Sequence, residues 1–495
     1  MKTTLLLDIA ADAVGDRRAV GDLSYGELRD RAQRAAAWIM DQPAEQVAFL
    51  GLNGPMVPTL LFASGYAGLP FCPINYRLPD DRLNALVERT SPSVLVVDDE
   101  MAGRIEPHNG VRIVTLSDLE AELSSRTSPD DWAERDNDIA VLLFTSGTTG
   151  DPKAAVLRHE NLTSYVMGTV EFLASGEDEA ALVSVPAYHI AGISAVLTSI
   201  YGGRRIAYIA AFEPAEWAET AAKEQVTHAM VVPTMLDRIL DSVEHEDKPL
   251  SCLRALSYGG GRMPEPVIAR AMKLLPHVDF VNAYGLTETS STIALLSADD
   301  HRAAFESSEE PVRRRLTSVG KPLPGLELEI RAEDGKTTLP PGESGEIYVR
   351  GPQVSGEYLG KKVVDDEGWF ATNDGGWLDE EGYLFVEGRL DDVIVRGGEN
   401  ISPGEIEDCL RGHEAVADVA VLGLPCSKWG EKVAAVVVRK GNVGEEELSG
   451  HVRSRLRSTK TPEAWFFEPE LPYNETGKLL RRVLKDRLCD DEVAA

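Results

Sequence analysis

The sequence predicts an α/β protein, in which a large N-terminal domain of α/β sheet layers and a small β-rich subdomain precede a small α+β domain. Strand-like apolar runs alternate with helical stretches between Val47 and Val281, which is typical of sheets covered by helices. Prolines among short alternating strands mark Val319–Arg350 as the β-rich part, and a compact α/β pattern follows Arg389. A length of 495 residues also exceeds one ordinary core and indicates about three folding units.

Each predicted element rests on a local pattern. Ser24, with Glu27 three positions later, forms a capping box, and the apolar spacing behind it predicts a helix over 24–40. Further helices are predicted over Met56–Ala67, Glu445–Arg457 and Leu479–Leu488. The predicted strands are short apolar or β-branched runs: Val47–Leu52, Pro70–Ile74, Val94–Val97, Val111–Leu116, Ala140–Phe144, Ala180–Val185, Arg205–Ile209, Met230–Val232, Ala255–Tyr258, Val278–Val281, Ala417–Leu424 and Lys432–Val438.

Composition and charge exclude several classes of function. Acidic residues outnumber basic ones, 81 against 50, which gives a net charge of −31 at pH 7. Such a charge repels nucleic acid and anionic lipid, so neither is an expected partner. Any phosphate site in this chain must therefore be locally basic or carry Mg²⁺.

Cysteine usage and hydropathy indicate a cytoplasmic protein. The cysteines are scattered and form no C-x-x-C pair, so neither a disulfide framework nor a zinc site is expected: Cys72, Cys252, Cys409, Cys426 and Cys489. The segment Met1–Val20 lacks the apolar core of a signal peptide. The most apolar long window, Ala181–Ile200, is broken by Pro186 and His189, and we interpret it as protein core, not as a membrane span.

A loop rich in hydroxyl groups and glycine follows the strand Ala140–Phe144. It comprises Thr145, Ser146, Gly147, Thr148, Thr149 and Gly150, with Lys153 shortly after. Glycines let backbone N–H groups turn toward an anion, hydroxyls add donors, and lysine adds a positive charge, so the loop predicts ATP binding. A plain surface turn is the alternative. A P-loop ATPase is disfavoured, because Asp151 and Pro152 separate the last glycine from the lysine and Ala154 follows it.

The loop resembles the phosphate loop of the adenylate-forming superfamily, which contains acyl-CoA synthetases, adenylation domains and luciferases. Further segments resemble other motifs of the family in the family's order: Pro186–His189, Tyr284–Thr289, Thr372–Gly375, Gly388–Asp392, Gly397–Asn400 and Asn474–Lys478. The resemblance implies an N-terminal AMP-binding domain over 1–389 and a mobile C-terminal domain over 390–495. It places the hinge near Leu390 and Asp391.

The resemblance assigns a nucleotide site to the first domain. Glu288 is expected to bind Mg²⁺, because a carboxylate beside phosphates needs a cation between them, and Thr287 is expected to contact phosphate. Asp374 would accept hydrogen bonds from the two ribose hydroxyls, and Arg389 would also reach the ribose. The loop of Gly259, Gly260 and Gly261 is expected on the adenine side, and Tyr284 is expected to lie against the adenine ring. Asn282, Ala283 and Gly285 are expected to bind the nucleotide as well.

The resemblance also assigns the chemistry of two half-reactions. Lys478 is expected to lie between the substrate carboxylate and the α-phosphate, where its charge offsets their repulsion. The loop with Gly397, Gly398 and Glu399 would line the path of a pantetheine thiol after the C-terminal domain has moved. His189 would border the acyl pocket and orient the carboxylate without acting as a base.

Two positions depart from the usual family pattern. Asn373 stands where a glycine usually precedes the ribose aspartate, and this exchange is expected to alter the local turn only mildly. Ala154 replaces a frequent glycine after Lys153, with a small steric effect expected.

These expectations describe an ATP-dependent ligase that forms an acyl-adenylate and transfers the acyl group to coenzyme A. The phosphopantetheine of a free-standing acyl carrier protein, or a non-thiol acceptor, remains an alternative, as does a catalytically retired nucleotide-binding protein. The pocket is expected from His189–Ser194, Val231–Met235 and Tyr258–Arg262, which favours a medium-sized apolar or aromatic acid. A monomer or a homodimer is expected.

Overall fold

The computed structural model describes residues 1–128, 137–145, 152–246, 250–426, 428–473 and 479–494. The helices of these ranges are α1 (Thr4–Val14), α2 (Tyr25–Met40), α3 (Met56–Ala67), α4 (Asp80–Glu88), α5 (Leu116–Ser124), α6 (His159–Thr169), α7 (Ile190–Gly202), α8 (Pro214–Lys223), α9 (Pro233–Glu246), α10 (Glu265–Leu274), α11 (Ala298–Glu306), α12 (Glu310–Arg313), α13 (Pro403–Arg411), α14 (Glu445–Arg453) and α15 (Arg481–Ala494).

The strands are β1 (Arg18–Val20), β2 (Leu23–Ser24), β3 (Gln46–Leu50), β4 (Phe71–Pro73), β5 (Ser93–Val97), β6 (Val111–Thr115), β7 (Ile139–Thr145), β8 (Lys153–Arg158), β9 (Ala180–Val183), β10 (Arg205–Tyr208), β11 (His228–Val231), β12 (Ala255–Gly259), β13 (Asp279–Leu286), β14 (Ser291–Leu296), β15 (Lys321–Pro322), β16 (Glu327–Arg331), β17 (Gly345–Arg350), β18 (Glu357–Tyr358), β19 (Lys361–Lys362), β20 (Phe370–Leu378), β21 (Leu384–Arg389), β22 (Ile394–Arg396), β23 (Glu399–Ile401), β24 (Val416–Cys426), β25 (Gly430–Arg439) and β26 (Ala464–Phe467).

Two mixed sheets form the N-terminal part. Sheet A has the order β15-β14-β13-β12-β11-β9-β10-β1-β2, and its strands from β1 through β10, β9, β11 and β12 to β13 are parallel. Sheet B has the order β19-β18-β8-β7-β4-β3-β5-β6, with a parallel centre and an antiparallel β7–β8 hairpin. Ligands bind such sheets beyond the carboxyl ends of the strands, where Thr145 and Leu286 end β7 and β13.

A helical layer lies between sheets A and B. The largest core cluster combines residues of both sheets with α1, α2, α3 and α7, including the fully buried side chains of Leu6, Trp38, Phe62, Phe71 and Ile200. Helix α3 is buried on nearly all of its faces, as expected for a helix without a polar stripe. None of the helices in the described ranges is long and apolar enough to span a membrane.

Two smaller sheets follow. Sheet C has the antiparallel order β16-β17-β20-β21, and sheet D joins β23, β22, β25 and β24, with β26 beside β25. The chain passes from sheet C to sheet D through the 3₁₀ turn Leu390–Asp392, where the sequence predicts a hinge. The domain boundary after residue 389 remains a prediction.

The local sequence patterns locate most elements well. The capping box of α2 is present, with the Glu27 amide donating to the Ser24 hydroxyl and the Ser24 amide donating to the Glu27 carboxylate. The predicted helix over Glu445–Arg457 ends earlier, at Arg453. The predicted strand Val278–Val281 is longer, since β13 continues to Leu286 and carries Tyr284 on its end.

Candidate active site

The phosphate loop lies between two paired strand ends. Thr145 closes β7 and Lys153 opens β8, the two are register partners, and the Thr145 hydroxyl donates to the Lys153 carbonyl over 3.3 Å. The loop residues themselves, Ser146, Gly147, Thr148, Thr149 and Gly150, lie outside the described residues, as does Lys478. Their predicted roles therefore rest on the sequence alone.

Asp374 is the buried centre of a polar triad whose other two members, Tyr284 and Arg389, are half-buried. The Tyr284 hydroxyl donates to Asp374 Oδ2 over 2.6 Å, and Arg389 Nη1 donates to Oδ1 over 3.1 Å. Arg389 also donates to the carbonyl of Thr372. Burial, together with the charge of Asp374, raises the pKa of Tyr284, so its phenol stays protonated and donates. The triad joins β13, β20 and β21, and thus brings together three predicted nucleotide residues that lie far apart in the sequence.

Glu288 lies in the 3₁₀ turn that follows β13, between the half-buried Thr287 and the buried Thr289. The residue is 8% exposed, and the hydroxyl of Tyr358 donates to its Oε1 over 2.5 Å. Among the described residues, no cluster of three or more acidic, histidine or cysteine side chains could hold a metal ion by itself. A single carboxylate nevertheless fits Mg²⁺, which takes one or two carboxylates and completes its shell with water and phosphate oxygens.

The predicted adenine loop follows β12. Gly259 pairs with Ala283, and a side chain at residue 259 would lie 2.2 Å from the Ala283 carbonyl, so only glycine fits there. Gly260 has a φ of +78°, and a side chain at residue 261 would lie 3.8 Å from Pro233, an ordinary contact distance. The loop therefore leaves a bare backbone surface on which a flat ring can lie.

The remaining residues expected to bind the nucleotide lie in the second half of β13. The side-chain amide of Asn282 donates to the carbonyl of the buried Ser318 over 3.0 Å, so its amide group has a partner within the protein. A side chain at Gly285 would lie 1.8 Å from the carbonyl of Ser291, which explains the glycine by close backbone packing.

His189 caps the start of α7 and presents a buried nitrogen. Its ring lies 4.6 Å from that of Tyr188, and in the described part of the chain its Nε2 has no hydrogen-bond partner. Burial, with a smaller contribution from Arg77, lowers the pKa of His189 to about 4, so the imidazole is neutral at pH 7. On the same helix, the Ser194 hydroxyl lies 3.2 Å from that of Ser291, which links the predicted acyl side to the end of the Glu288 turn.

The predicted thiol loop forms the β22–β23 turn. Gly397 and Gly398 have φ values of +60° and +85°, and Glu399 accepts a hydrogen bond from Thr459. A side chain at residue 397 would lie 2.9 Å from the ring of Trp429. Trp429 is 38% exposed, and the cationic groups of Arg396 and Lys428 lie 5.1 and 4.8 Å from its ring centroid.

Contacts between the two predicted domains include groups that sequence analysis missed. Arg262, expected at the edge of the acyl pocket, forms an ion pair with Asp408 on α13. The hydroxyl of Ser402 donates to the Glu387 carbonyl over 3.0 Å.

Two aromatic residues near the predicted site, Tyr358 and Trp429, were not predicted from the sequence. Neither lies in a pattern that distinguishes it from an ordinary aromatic residue.

Comparison with known families accounts for nearly the whole chain. The family model of the AMP-binding enzyme matches residues 7–359, and that of the AMP-binding enzyme C-terminal domain matches residues 405–478. A feruloyl-CoA synthase from Amycolatopsis sp is 33% identical over 475 residues, which cover 94% of each chain. A 2-succinylbenzoate–CoA ligase from a strain of Bacillus cereus is 33% identical over 448 residues, covering 89% of this chain and 88% of the relative.

Solved structures show the same fold. The o-succinylbenzoate CoA synthetase MenE from Bacillus subtilis, in complex with its acyl-adenylate intermediate, superposes with a TM-score of 0.82 at 28% identity and covers 98% of both chains. The same synthetase in complex with ATP and a magnesium ion gives a TM-score of 0.83 at 29% identity, covering 97% of this chain and 99% of the other.

Proposed function

The chain belongs to the AMP-binding enzymes of the adenylate-forming acyl-CoA synthetase superfamily, and from this premise we propose how its residues carry out the reaction. It is an AMP-forming acid–thiol ligase, which activates a carboxylic acid with ATP as an acyl-adenylate and passes the acyl group to a thiol. Its substrate is a small carboxylic acid, and ATP and magnesium take part. The roles of individual residues, the class of acid and the thiol are proposals.

The observation that carries the proposed nucleotide site is the triad of Tyr284, Asp374 and Arg389. Each oxygen of the Asp374 carboxylate accepts one hydrogen bond within the triad. An ionised carboxylate has about four acceptor positions, so each oxygen can accept one more donor. Two vicinal ribose hydroxyls match that remaining capacity, and the fixed arginine and tyrosine hold the carboxylate in place for them.

The phosphates are proposed to lie between Glu288 and Lys153. Mg²⁺ bound to Glu288 would neutralise phosphate charge and polarise the α-phosphate toward attack. Thr287, Thr145 and the loop residues 146–150 would supply donors to the phosphate oxygens, as their composition suggests. These groups supply the local positive potential that the charge of −31 does not.

His189 is proposed to orient the substrate carboxylate. A buried nitrogen without a partner is unfavourable, and a bound carboxylic acid would relieve it. Since the pKa of His189 is lowered to about 4, the neutral ring can donate a hydrogen bond without drawing a proton from the acid. The small and apolar residues that line the predicted pocket support an aromatic acid as substrate, as does the similarity to a feruloyl-CoA synthase and a 2-succinylbenzoate–CoA ligase.

Coenzyme A is proposed as the thiol acceptor. Trp429 offers an exposed aromatic face beside the predicted thiol loop, and Arg396 and Lys428 place two cations next to it. An adenine ring can stack on such a face while a phosphate meets the cations. A carrier protein presents pantetheine without adenine, so this surface favours coenzyme A over the carrier alternative.

A cytoplasmic location is also proposed for this protein. The five described cysteines are free thiols, which suit a reducing compartment.

Lys478 is proposed to stabilise the transition state of the first half-reaction only. The test is Lys478→Ala, with Lys485→Ala as a control lysine that pairs with Glu431 on sheet D. Acid-dependent exchange of pyrophosphate into ATP should be lost in the first variant, whereas thiolysis of supplied acyl-adenylate by coenzyme A should persist. Equal loss of both half-reactions would contradict this division.

The acid and the acceptor are tested together in the wild-type enzyme. A panel of aryl, short-chain and medium-chain acids should drive pyrophosphate exchange, with aryl acids the best. Product analysis with coenzyme A, with an acyl carrier protein and with neither then identifies the acceptor. If no acid in the panel drives exchange although ATP binds, the alternative of a retired nucleotide-binding protein would replace the proposal.

A further inference from the structure

Tyr358 contacts two groups of the proposed phosphate site at once. Its hydroxyl donates to Glu288 Oε1 over 2.5 Å, and the ammonium group of Lys153 lies 5.7 Å from the centroid of its ring. The residue therefore joins the predicted magnesium ligand to the lysine of the phosphate loop. Neither contact is apparent from the sequence, where Glu288 and Tyr358 are 70 residues apart.

We propose that Tyr358 is a positioning residue, whose hydroxyl fixes the Glu288 carboxylate for magnesium and whose ring orients Lys153 toward the phosphates. This inference rests on the proposed function, in which Glu288 is the metal ligand. Carboxylates that bind metals are commonly held by a hydrogen bond to one oxygen, and removing such a partner weakens metal binding about tenfold or more. Among the described residues, the Glu288 carboxylate accepts its hydrogen bond from the Tyr358 hydroxyl.

The segment that carries Tyr358 also forms hydrogen bonds with the backbone in and after the 3₁₀ turn that contains Glu288. The amides of Ser355 and Gly356 both donate to the Glu288 carbonyl, over 2.9 and 3.0 Å. The side chain of Gln353, which is buried, donates to the carbonyls of Thr289 and Thr292. Glu288 is thus held at its carbonyl and at its carboxylate by one short stretch of chain.

The same stretch is anchored to the strand that leaves the phosphate loop. Tyr358 is the register partner of Ala155 on β8, and the Leu359 amide donates to the Ala154 carbonyl over 2.9 Å. Next to Tyr358, Glu357 accepts two hydrogen bonds of 3.0 Å from Arg158 at the far end of β8. A bidentate pair of this kind fixes orientation as well as distance. The position of Lys153 on β8 is therefore coupled to that of Glu288.

The chemistry of the phenol suits a permanent donor. A phenol is protonated at neutral pH, so the Tyr358 hydroxyl can donate its proton to Glu288 Oε1. A neutral donor orients the carboxylate but leaves its negative charge for the metal. The ring can attract the Lys153 ammonium through its electron-rich face, an interaction that survives loss of the hydroxyl.

The test uses Tyr358→Phe in the full-length protein, which keeps the ring and removes the hydroxyl. Dissociation constants for ATP are measured by calorimetry across a magnesium series and in EDTA. Tyr383→Phe is the matched control, because the Tyr383 hydroxyl also donates to a carboxylate, that of Asp300, and Lys321 also lies over its ring. We expect about tenfold weaker ATP binding by Tyr358→Phe in magnesium, no change in EDTA, and no change in either condition for the control.

A double-variant cycle with Glu288→Gln tests whether Tyr358 acts through Glu288. Once the metal ligand has lost its charge, Tyr358→Phe should add no further loss of magnesium-dependent binding. An added tenfold loss in that background would overturn the inference, because Tyr358 would then act elsewhere. Equal weakening of ATP binding with and without magnesium would also overturn it, since that is general damage to the site.

The failure of this inference can be told from failure of the proposed function. If Tyr358→Phe retains wild-type magnesium dependence while Glu288→Gln loses it, the positioning role is wrong and the metal role of Glu288 stands. If ATP binding by the wild type does not depend on magnesium at all, the proposed metal site itself is wrong.

Discussion

The side-chain amide of Asn373 donates a hydrogen bond of 2.7 Å to the carboxylate of Asp391, the residue at which the sequence places the hinge. Asn373 has a φ of +60°, in the left-handed region that glycine favours and that asparagine tolerates better than other side chains. The exchange of glycine for asparagine therefore keeps the turn before Asp374. It also adds a contact that glycine cannot make, between the ribose-side strand and the hinge.

We predict that Asn373→Gly loosens the hinge while preserving the turn. Glycine adopts this φ without strain, so only the hydrogen bond to Asp391 is lost, worth about 0.5–1.5 kcal/mol. Limited proteolysis at Leu390–Asp392 should accelerate about two- to tenfold, as that free energy implies. The comparison variant is Asn373→Ala, which loses the same bond but strains the backbone and should unfold at a lower urea concentration than Asn373→Gly. Equal proteolysis of wild type and Asn373→Gly would contradict a role of this bond in the hinge.

We predict that Asp374→Asn weakens ATP binding and leaves binding of the acid unchanged. The variant keeps the shape of the side chain but removes the charge that Arg389 faces and one strong acceptor. Hydrogen bonds to charged groups contribute about 1.5–3 kcal/mol, so the KM for ATP in pyrophosphate exchange should rise about 10- to 100-fold. The control is Glu327→Gln, which disrupts a more exposed arginine–carboxylate pair with Arg350 elsewhere in sheet C. A rise in the KM for the acid of the same size would speak against a ribose role.

Local sequence patterns predict the helices whose boundaries are set by residues close together in the sequence. The capping box at Ser24 fixes the start of α2, and the apolar run Met56–Ala67 matches the bounds of α3. For these two helices, the deciding residues lie within a few positions of each other in the sequence. Asp374 is predicted as a site residue only through the resemblance of its motif to the family, because Asn-Asp-Gly by itself is typical of an ordinary turn.

The rest depends on pairing between distant strands. Tyr358 reaches Glu288 because β18, a strand of only two residues, pairs with β8 at one register position. A strand of this length is too short to produce a recognisable hydrophobic periodicity in the sequence. Trp429 reaches Gly397 because Arg396 of β22 pairs with Gly430 of β25. The sequence identifies the glycine loop but not the aromatic ring behind it, since that contact exists only after sheet D has formed.

We predict that Trp429→Ala impairs the second half-reaction alone. Stacking of a base on an aromatic side chain contributes about 1–3 kcal/mol, so the KM for coenzyme A should rise about 5- to 100-fold while acid-dependent pyrophosphate exchange is unchanged. Trp429→Phe keeps part of the ring face and should lie between wild type and the alanine variant. Lys428→Ala should raise the KM for coenzyme A more than that for dephospho-coenzyme A, because the latter lacks one phosphate. Unchanged KM values for coenzyme A in all three variants would contradict its proposed contact with Trp429 and favour the alternative of a carrier protein.

Acid sensitivity should arise partly from His301, which supports the residue before the adenine loop. This imidazole is fully buried, its Nδ1 lies 2.8 Å from the Ser297 carbonyl, and its Nε2 lies 2.8 Å from the hydroxyl of Tyr258. The carbonyl can only accept, so Nδ1 carries the proton and the neutral Nε2 accepts from Tyr258, whose pKa burial raises. Burial lowers the pKa of His301 to about 4, from 6.5 for the free group.

Since the folded state binds the proton on His301 less readily than the unfolded state, this residue favours unfolding as the pH falls. Its contribution to stability is complete above pH 6.5 and is lost progressively as the pH falls from 6.5 to about 4. We predict that His301→Gln, which can still donate and accept but does not titrate, is less stable than wild type at pH 8 and loses less stability between pH 6.5 and 4. Urea denaturation across this pH range gives the free energy of unfolding directly. A variant whose stability falls as steeply with acid as that of the wild type would show that protonation of His301 does not drive the loss.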